Sequence, residues 1–171
     1  MEDKYAALLI DMQPGFFEKE DRQLLENLIS SQIEFIKGCA DNEIPIRVIE
    51  YAGEGHTFAQ LKKEIKSFHE FEYYTKDSID AFETTKLIYS LRKLKANHLI
   101  LMGINANICV SGTGDGALEK GFKISSASDL IGNTRKEGPF NEDWYKENCE
   151  HYPETRIELL EIIEKEAALL R

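Results

Sequence analysis

The 171-residue chain is short of proline (four), cysteine (three) and tryptophan (one), and it is short of cationic charge. Lysine and arginine number 21 against 31 acids, a formal charge of -10. Charge of that sign repels phosphate backbones and anionic lipid headgroups, so nucleic acid and membrane surfaces are not expected partners. No apolar run approaches the roughly 18 residues that a spanning helix requires. The opening MEDKYAALLIDMQ puts acids ahead of a short apolar run, where a secretory leader would carry basic residues. A cytoplasmic protein is predicted. Cys39, Cys109 and Cys149 are odd in number and widely scattered, which makes neither a disulfide framework nor a CxxC zinc site. Reduced thiols are expected.

What is present is an ordinary globular balance of 42% hydrophobic and 30% charged residues. The length suits one domain over residues 1–171. KYAALLID at 4–11 is a compact apolar run ending in an acid, as in a buried parallel strand, and it leaves Asp11 at the strand's carboxyl end. Leu25, Leu28, Ile29, Ile33 and Ile36 share one helical face within 21–37. IPIRVIEY at 44–51 reads as a second strand, followed by a shorter helix at 57–67. FEYYT at 71–75 is strand-like and ends at Lys76. Asp80 and Glu83 form a D-x-x-E capping box for one helix reaching about Lys93. HLILMGI at 98–104 is the clearest strand, then come a turn into a helix at 108–120 and a strand at 122–128. GNTRKEGPFN, 132–141, reads as a loop, and RIELLEIIEKEAALL as a terminal helix docked on the sheet.

Alternating strands and helices with short connections predict a three-layer α/β/α Rossmann-like fold. Its mainly parallel sheet should have five or six strands, with helices on both faces. Ligands of such sheets lie at the carboxyl ends of the strands. Asp11, Lys76 and Cys109 each fall just past a strand, so three reactive groups remote in sequence converge on one edge. Most cysteines act as small buried hydrophobes, and Cys39 and Cys149 fit that role. Cys109 stands instead between a strand and a helix, where unpaired amides and the helix dipole favour thiolate.

LLIDMQPGFF, TKDSIDAFETTKL and LILMGINANICVSGTGDGALEKGFKI resemble, in order and spacing, three signature blocks of the isochorismatase-like cysteine hydrolases. That superfamily includes nicotinamidases and N-carbamoylsarcosine amidohydrolase, and the likeness runs over about residues 4–129. It implies that Cys109 is the nucleophile, Asp11 its acid–base partner and Lys76 the cation that holds the acid and stabilises the thiolate. Phe16, Phe82, Leu87, Gly103, Val110, Thr113, Ala117 and Gly121 match other recurrent positions. The resemblance further implies a cis peptide between Ile104 and Asn105. The amides of Asn105 and Cys109 would then form an oxyanion hole, each donor typically worth about 100- to 1000-fold in rate. Phe16 and Asn107 are implied to face the substrate. The expected reaction is hydrolysis of a small amide or ureide through a thioester, with no cofactor. A homo-oligomer is expected from the resemblance alone.

The chain also departs from the pattern. Nicotinamidases carry an Asp-x-His set and a further His after the second strand, where this sequence reads EYAGEGHTF. One histidine there, His56, is a poor ligand set, and His56, His69, His98 and His151 have no ligand spacing among themselves. No metal and no nicotinamidase activity are expected, and the histidines should have surface or capping roles. Ala106 replaces a usual threonine, which removes a supporting hydrogen bond. Gly112, Gly114 and Gly116 occupy helix positions that cost up to about 1 kcal/mol each relative to alanine, and they either loosen the helix or admit a neighbour closely. Isochorismatase itself lacks the cysteine. Two rival readings remain. Gly112, Gly114 and Ala117 match G-x-G-x-x-A, as in a dinucleotide-binding protein, although they start too far beyond the strand. The other rival is a non-enzymatic thiol sensor built on the same fold.

Overall fold

The apolar run after Lys4 forms β1, Tyr5–Ile10, with its last five residues fully covered. A strand covered on both faces has no solvent side to mark with polar residues, hence the continuous rather than alternating sequence. The structure, a computed structural model, describes residues 3–67 and 71–169; His69 lies outside the described residues. After β1 come α1 (Arg22–Asp41), β2 (Ile46–Tyr51), α2 (Ala59–Ile65), β3 (Phe71–Lys76), α3 (Ala81–Thr84), α4 (Leu87–Lys93) and β4 (His98–Gly103). The chain continues through α5 (Ser111–Glu119), β5 (Lys123–Ser125), α6 (Asp143–Asn148) and α7 (Arg156–Leu169). The five strands lie in the order β3-β2-β1-β4-β5, and every neighbouring pair is parallel.

Successive side chains of a strand point to opposite faces, so β1 and β4 feed two cores. Ala7, Leu9, Ile100 and Met102 pack with Leu28 and Phe35 of α1, Leu61 of α2 and Leu159 of α7. Ala6, Leu8, Leu99 and Leu101 pack with Phe82 of α3, Leu91 of α4, Ala117 of α5 and Tyr145 of α6. This is the expected three-layer α/β/α arrangement. The chain leaves β1 first toward β2 and later returns to β4 on its other side, which opens a crevice at the carboxyl edge beside β1. No described helix is long and apolar enough to cross a membrane.

Several elements differ from their sequence reading. α1 runs on to Asp41 because Cys39 continues the buried face begun by Phe35 and Ile36. The helix expected over 80–93 is two helices. Thr85 adopts an extended conformation, its hydroxyl donates to the Ala81 carbonyl at 2.6 Å, and it accepts from the Leu87 amide at 3.1 Å. That one side chain ends α3 and caps α4. β5 stops at Ser125 because the Ser126 amide turns to the His151 carbonyl. His98 is neither a surface nor a capping residue. It is fully buried at the start of β4, with Nδ1 3.1 Å from Asp3 and Nε2 2.8 Å from the Ser125 hydroxyl.

Gly103 has φ +134°, and a Cβ there would lie 2.0 Å from the Ile10 carbonyl oxygen. Both the backbone conformation and the space require glycine. Gly103→Ala is therefore expected to lower stability by about 2 to 4 kcal/mol, read as a shift in the urea midpoint at unchanged slope.

Candidate active site

Three strand ends meet at the crevice. Asp11 follows β1 with φ +55°, in a left-handed conformation that a non-glycine residue rarely adopts, and it turns the chain out of the sheet. Its amide still donates to the Ile49 carbonyl at 3.0 Å, so β2 fixes the turn. Lys76 closes β3 and is buried completely. Its Nζ stands 3.1 Å from Asp11 Oδ2 and donates to the carbonyls of Ser78 (3.1 Å) and Ile79 (3.2 Å). The ammonium also lies 4.9 Å from the centre of the Tyr51 ring. Two of its protons and its charge are engaged, which fixes an otherwise flexible side chain. Cys109 lies in a π-helical turn, Ala106–Val110, between β4 and α5, and it is coupled to both Asp11 and Lys76. The three residues singled out in the sequence are thus brought together.

Neither Asp11 carboxylate oxygen receives an aligned hydrogen bond, although Lys76 and Cys109 are both at its side. The contact is one of charge rather than direction, and it leaves lone pairs open on a buried carboxylate. Burial raises the Asp11 pKa; the charge of Lys76 and the thiol of Cys109 oppose that shift. The Cys109 thiol is pushed up to about 12, first by burial and then by the Asp11 charge, with Lys76 pulling the other way. The sequence expectation of a thiolate favoured by the helix start is therefore reversed. Burial beside the Asp11 carboxylate outweighs what the helix start offers. With both groups shifted upward, the pair favours keeping one proton. Moving it from Cys109 to Asp11 leaves a single anion facing Lys76, whereas ionising both would bury two anions against one cation.

The peptide between Ile104 and Asn105 is cis. Neither the Asn105 nor the Cys109 amide donates to an acceptor outside the turn itself among the described residues. The segment 132–134, read from sequence only as loop, clamps this turn. The Ala106 amide donates to the Gly132 carbonyl (2.9 Å), the Asn107 amide to Asn133 Oδ1 (3.1 Å) and the Thr134 amide to Asn105 Oδ1 (2.7 Å). The Ala106 carbonyl accepts from the buried Tyr145 hydroxyl at 2.6 Å. These bonds supply the support that Ala106 was expected to cost. Asn107 holds the same loop with its side chain, donating to the Asn141 carbonyl and accepting from the Asn133 side chain and the Asn141 amide. Phe16 stands edge-on to Tyr51, ring centres 6.0 Å apart, beside Lys76.

Sequence reasoning missed Gln13, which is fully buried. Its Nε2 donates to the carbonyls of Tyr51 (2.9 Å) and Gly55 (2.6 Å), and its Oε1 accepts from the Tyr51 amide (2.6 Å). A glutamine beside an otherwise apolar segment was its one available signal. In EYAGEGHTF, Glu50 accepts from the Thr57 amide and hydroxyl and pairs with His56. With Glu50 and His56 turned to each other, this loop does not fit a metal. Among the described residues no three His, Cys, Asp or Glu side chains converge as ligands would. The helical glycines admit neighbours closely rather than loosening α5. A Cβ on Gly112 would meet Ile79, on Gly114 Trp144, and on Gly116 the Asp80 carboxylate, all within 2.3 Å. They lie inside a packed helix, with no phosphate-binding turn of the kind a dinucleotide site requires.

Fold and site together define a three-layer α/β/α protein with a thiol, a carboxylate and an ammonium at the carboxyl edge of its sheet. The sequence profile of the Isochorismatase domain matches residues 5–142, and the chain belongs to that family. The match extends past residue 129 and takes in the clamping loop. Solved structures agree on the fold. A cysteine hydrolase from Pseudomonas syringae pv. phaseolicola superposes with TM-score 0.77 at 14% identity, over 95% of this chain and 93% of that one. The nicotinamidase of Staphylococcus aureus gives 0.69 at 21%, over 80% and 88%. An N-carbamoylsarcosine amidase from Thermoplasma acidophilum gives 0.72 at 16%, over 90% and 96%. Among curated protein sequences none matches.

Proposed function

We propose that the protein is a cysteine hydrolase that cleaves the C–N bond of a small amide or ureide through a thioester. The observation that carries this reading is the buried Lys76–Asp11 pair, 3.1 Å apart, with the Cys109 thiol beside it. Structural neighbours named nicotinamidase, cysteine hydrolase and N-carbamoylsarcosine amidase support it.

The site divides the chemistry as follows. As the sulfur attacks the carbonyl carbon, its proton passes to Asp11, and the carbonyl oxygen takes up the negative charge. The Asn105 and Cys109 amides meet that oxyanion. Asp11 then gives the proton to the departing nitrogen, so an amine or ammonia leaves and an acyl thioester stays on Cys109. Water, deprotonated by the same carboxylate, opens the thioester to the acid, and the proton returns from Asp11 to the Cys109 sulfur as the C–S bond breaks. A protonated thiol at rest also argues against a redox sensor, since oxidation follows thiolate character.

The test is ammonia release over a panel of small amides and ureides, with hydroxylamine added to intercept the acyl enzyme. A hydrolase of this type should divert part of its product to the hydroxamate without slowing ammonia release. Ammonia without hydroxamate would remove the thioester, and no ammonia from any compound would remove the reading.

A further inference from the structure

Glu54 stands beside the same crevice, on the loop that follows β2. Its side chain has no hydrogen-bond or ion-pair partner among the described residues. It is half-buried, and its carboxylate lies against Gly15, where a Cβ would come within 2.1 Å of Oε2. The backbone holds it there. The Gly15 amide donates to the Glu54 carbonyl at 3.0 Å, and Gln13 binds the carbonyls on either side, Tyr51 and Gly55. The loop is thus tied to the turn that follows Asp11 and leads into Phe16. Glu54 is close enough to Asp11 to add repulsion to its carboxylate. The nearby cation cannot serve it, because Lys76 is committed to Asp11 and two carbonyls. Glu50, near the end of β2, is turned to Thr57 and His56.

A half-buried carboxylate on a tethered loop, with no cation of its own among the described residues, leaves the crevice with two acids against one ammonium. Such a group favours an incoming positive charge or N–H donor and disfavours an incoming anion. We infer that Glu54 is a specificity-determining residue, binding a protonated amine or N–H donor on the acyl part of the substrate and turning away acyl groups that end in a carboxylate. The inference rests on the amide-hydrolase reading and adds the charge class of the substrate.

Three primary amides of matched length test it: β-alaninamide (cationic), butyramide (neutral) and succinamate (anionic). The native enzyme should favour β-alaninamide over succinamate in kcat/KM by about tenfold or more, mainly through KM. Glu54→Gln should collapse that ratio toward one, with butyramide as the neutral reference. Glu54→Asp should recover part of it, which a merely structural glutamate would not. The same ratio read as binding to Cys109→Ala protein by NMR titration needs no turnover. Absence of all turnover would count against the hydrolase, while the binding ratio would still decide the role of Glu54. A native preference for succinamate, or a ratio that Glu54→Gln leaves unchanged, overturns the inference.

Discussion

Asp11→Asn should lower amide turnover by about 1000- to 10,000-fold and, at the same time, make Cys109 easier to ionise. The two effects point in opposite directions because Asp11 does two things. In the proposed mechanism it takes the sulfur proton during attack and returns it to the leaving nitrogen, and asparagine can do neither. As a charge it helps keep the thiol protonated at rest, alongside burial, while Lys76 alone favours the anion. Removing the carboxylate leaves Lys76 as the one nearby charge, so a thiolate paired with ammonium becomes the favoured arrangement. Alkylation by iodoacetamide, followed by mass spectrometry across pH, reads the second effect: the rise in Cys109 labelling should move to lower pH in the variant. Cys109→Ala sets the floor for the first. A variant with near-native turnover would take the base away from Asp11. Turnover lost with no downward move of the labelling curve would mean that Asp11 acts by shape rather than charge.

That opposition was not legible in the sequence. The placing of Asp11, Lys76 and Cys109 on one edge was, because each follows a strand-like run and the alternation of strands and helices predicts a parallel sheet, while their roles came only from the resemblance. β1 and β4 were readable almost to the residue, since strands covered on both faces must be continuously apolar. Less readable was whatever depends on one side chain competing with the backbone: Thr85 splitting a helix, or Gln13 tying a loop. Such bonds carry no periodicity. The thiol was misjudged for a related reason. A helix start is visible in sequence, but the depth of burial beside a carboxylate is a property of the packed site. The glycines of α5 likewise looked like weak points until Ile79, Trp144 and Asp80 were seen against them.

Lys76→Met should destabilise the fold by about 3 to 5 kcal/mol near neutral pH, the usual cost of leaving one member of a buried ion pair alone. It strands the Asp11 charge and leaves the Ser78 and Ile79 carbonyls without their donor. The pH dependence separates these losses. Asp11 already has its pKa raised in the fold, with Lys76 acting to lower it, so the variant raises it further. An acid whose folded pKa lies above its unfolded value of about 3.9 contributes its stability below that unfolded value and loses it as pH rises through the folded pKa. The variant's deficit against the native protein should therefore shrink as pH is lowered from 7 toward 5, measured by urea unfolding at each pH. Adding Asp11→Asn to Lys76→Met removes the stranded charge and should recover stability at pH 7, so the double variant should be firmer than the single one. A deficit independent of pH, or a double variant weaker than the single, would place the loss in packing and carbonyl contacts instead. With the charge as cause, the role we propose for Lys76 is to favour the ionised form of a buried carboxylate, the form in which Asp11 can accept the proton of Cys109.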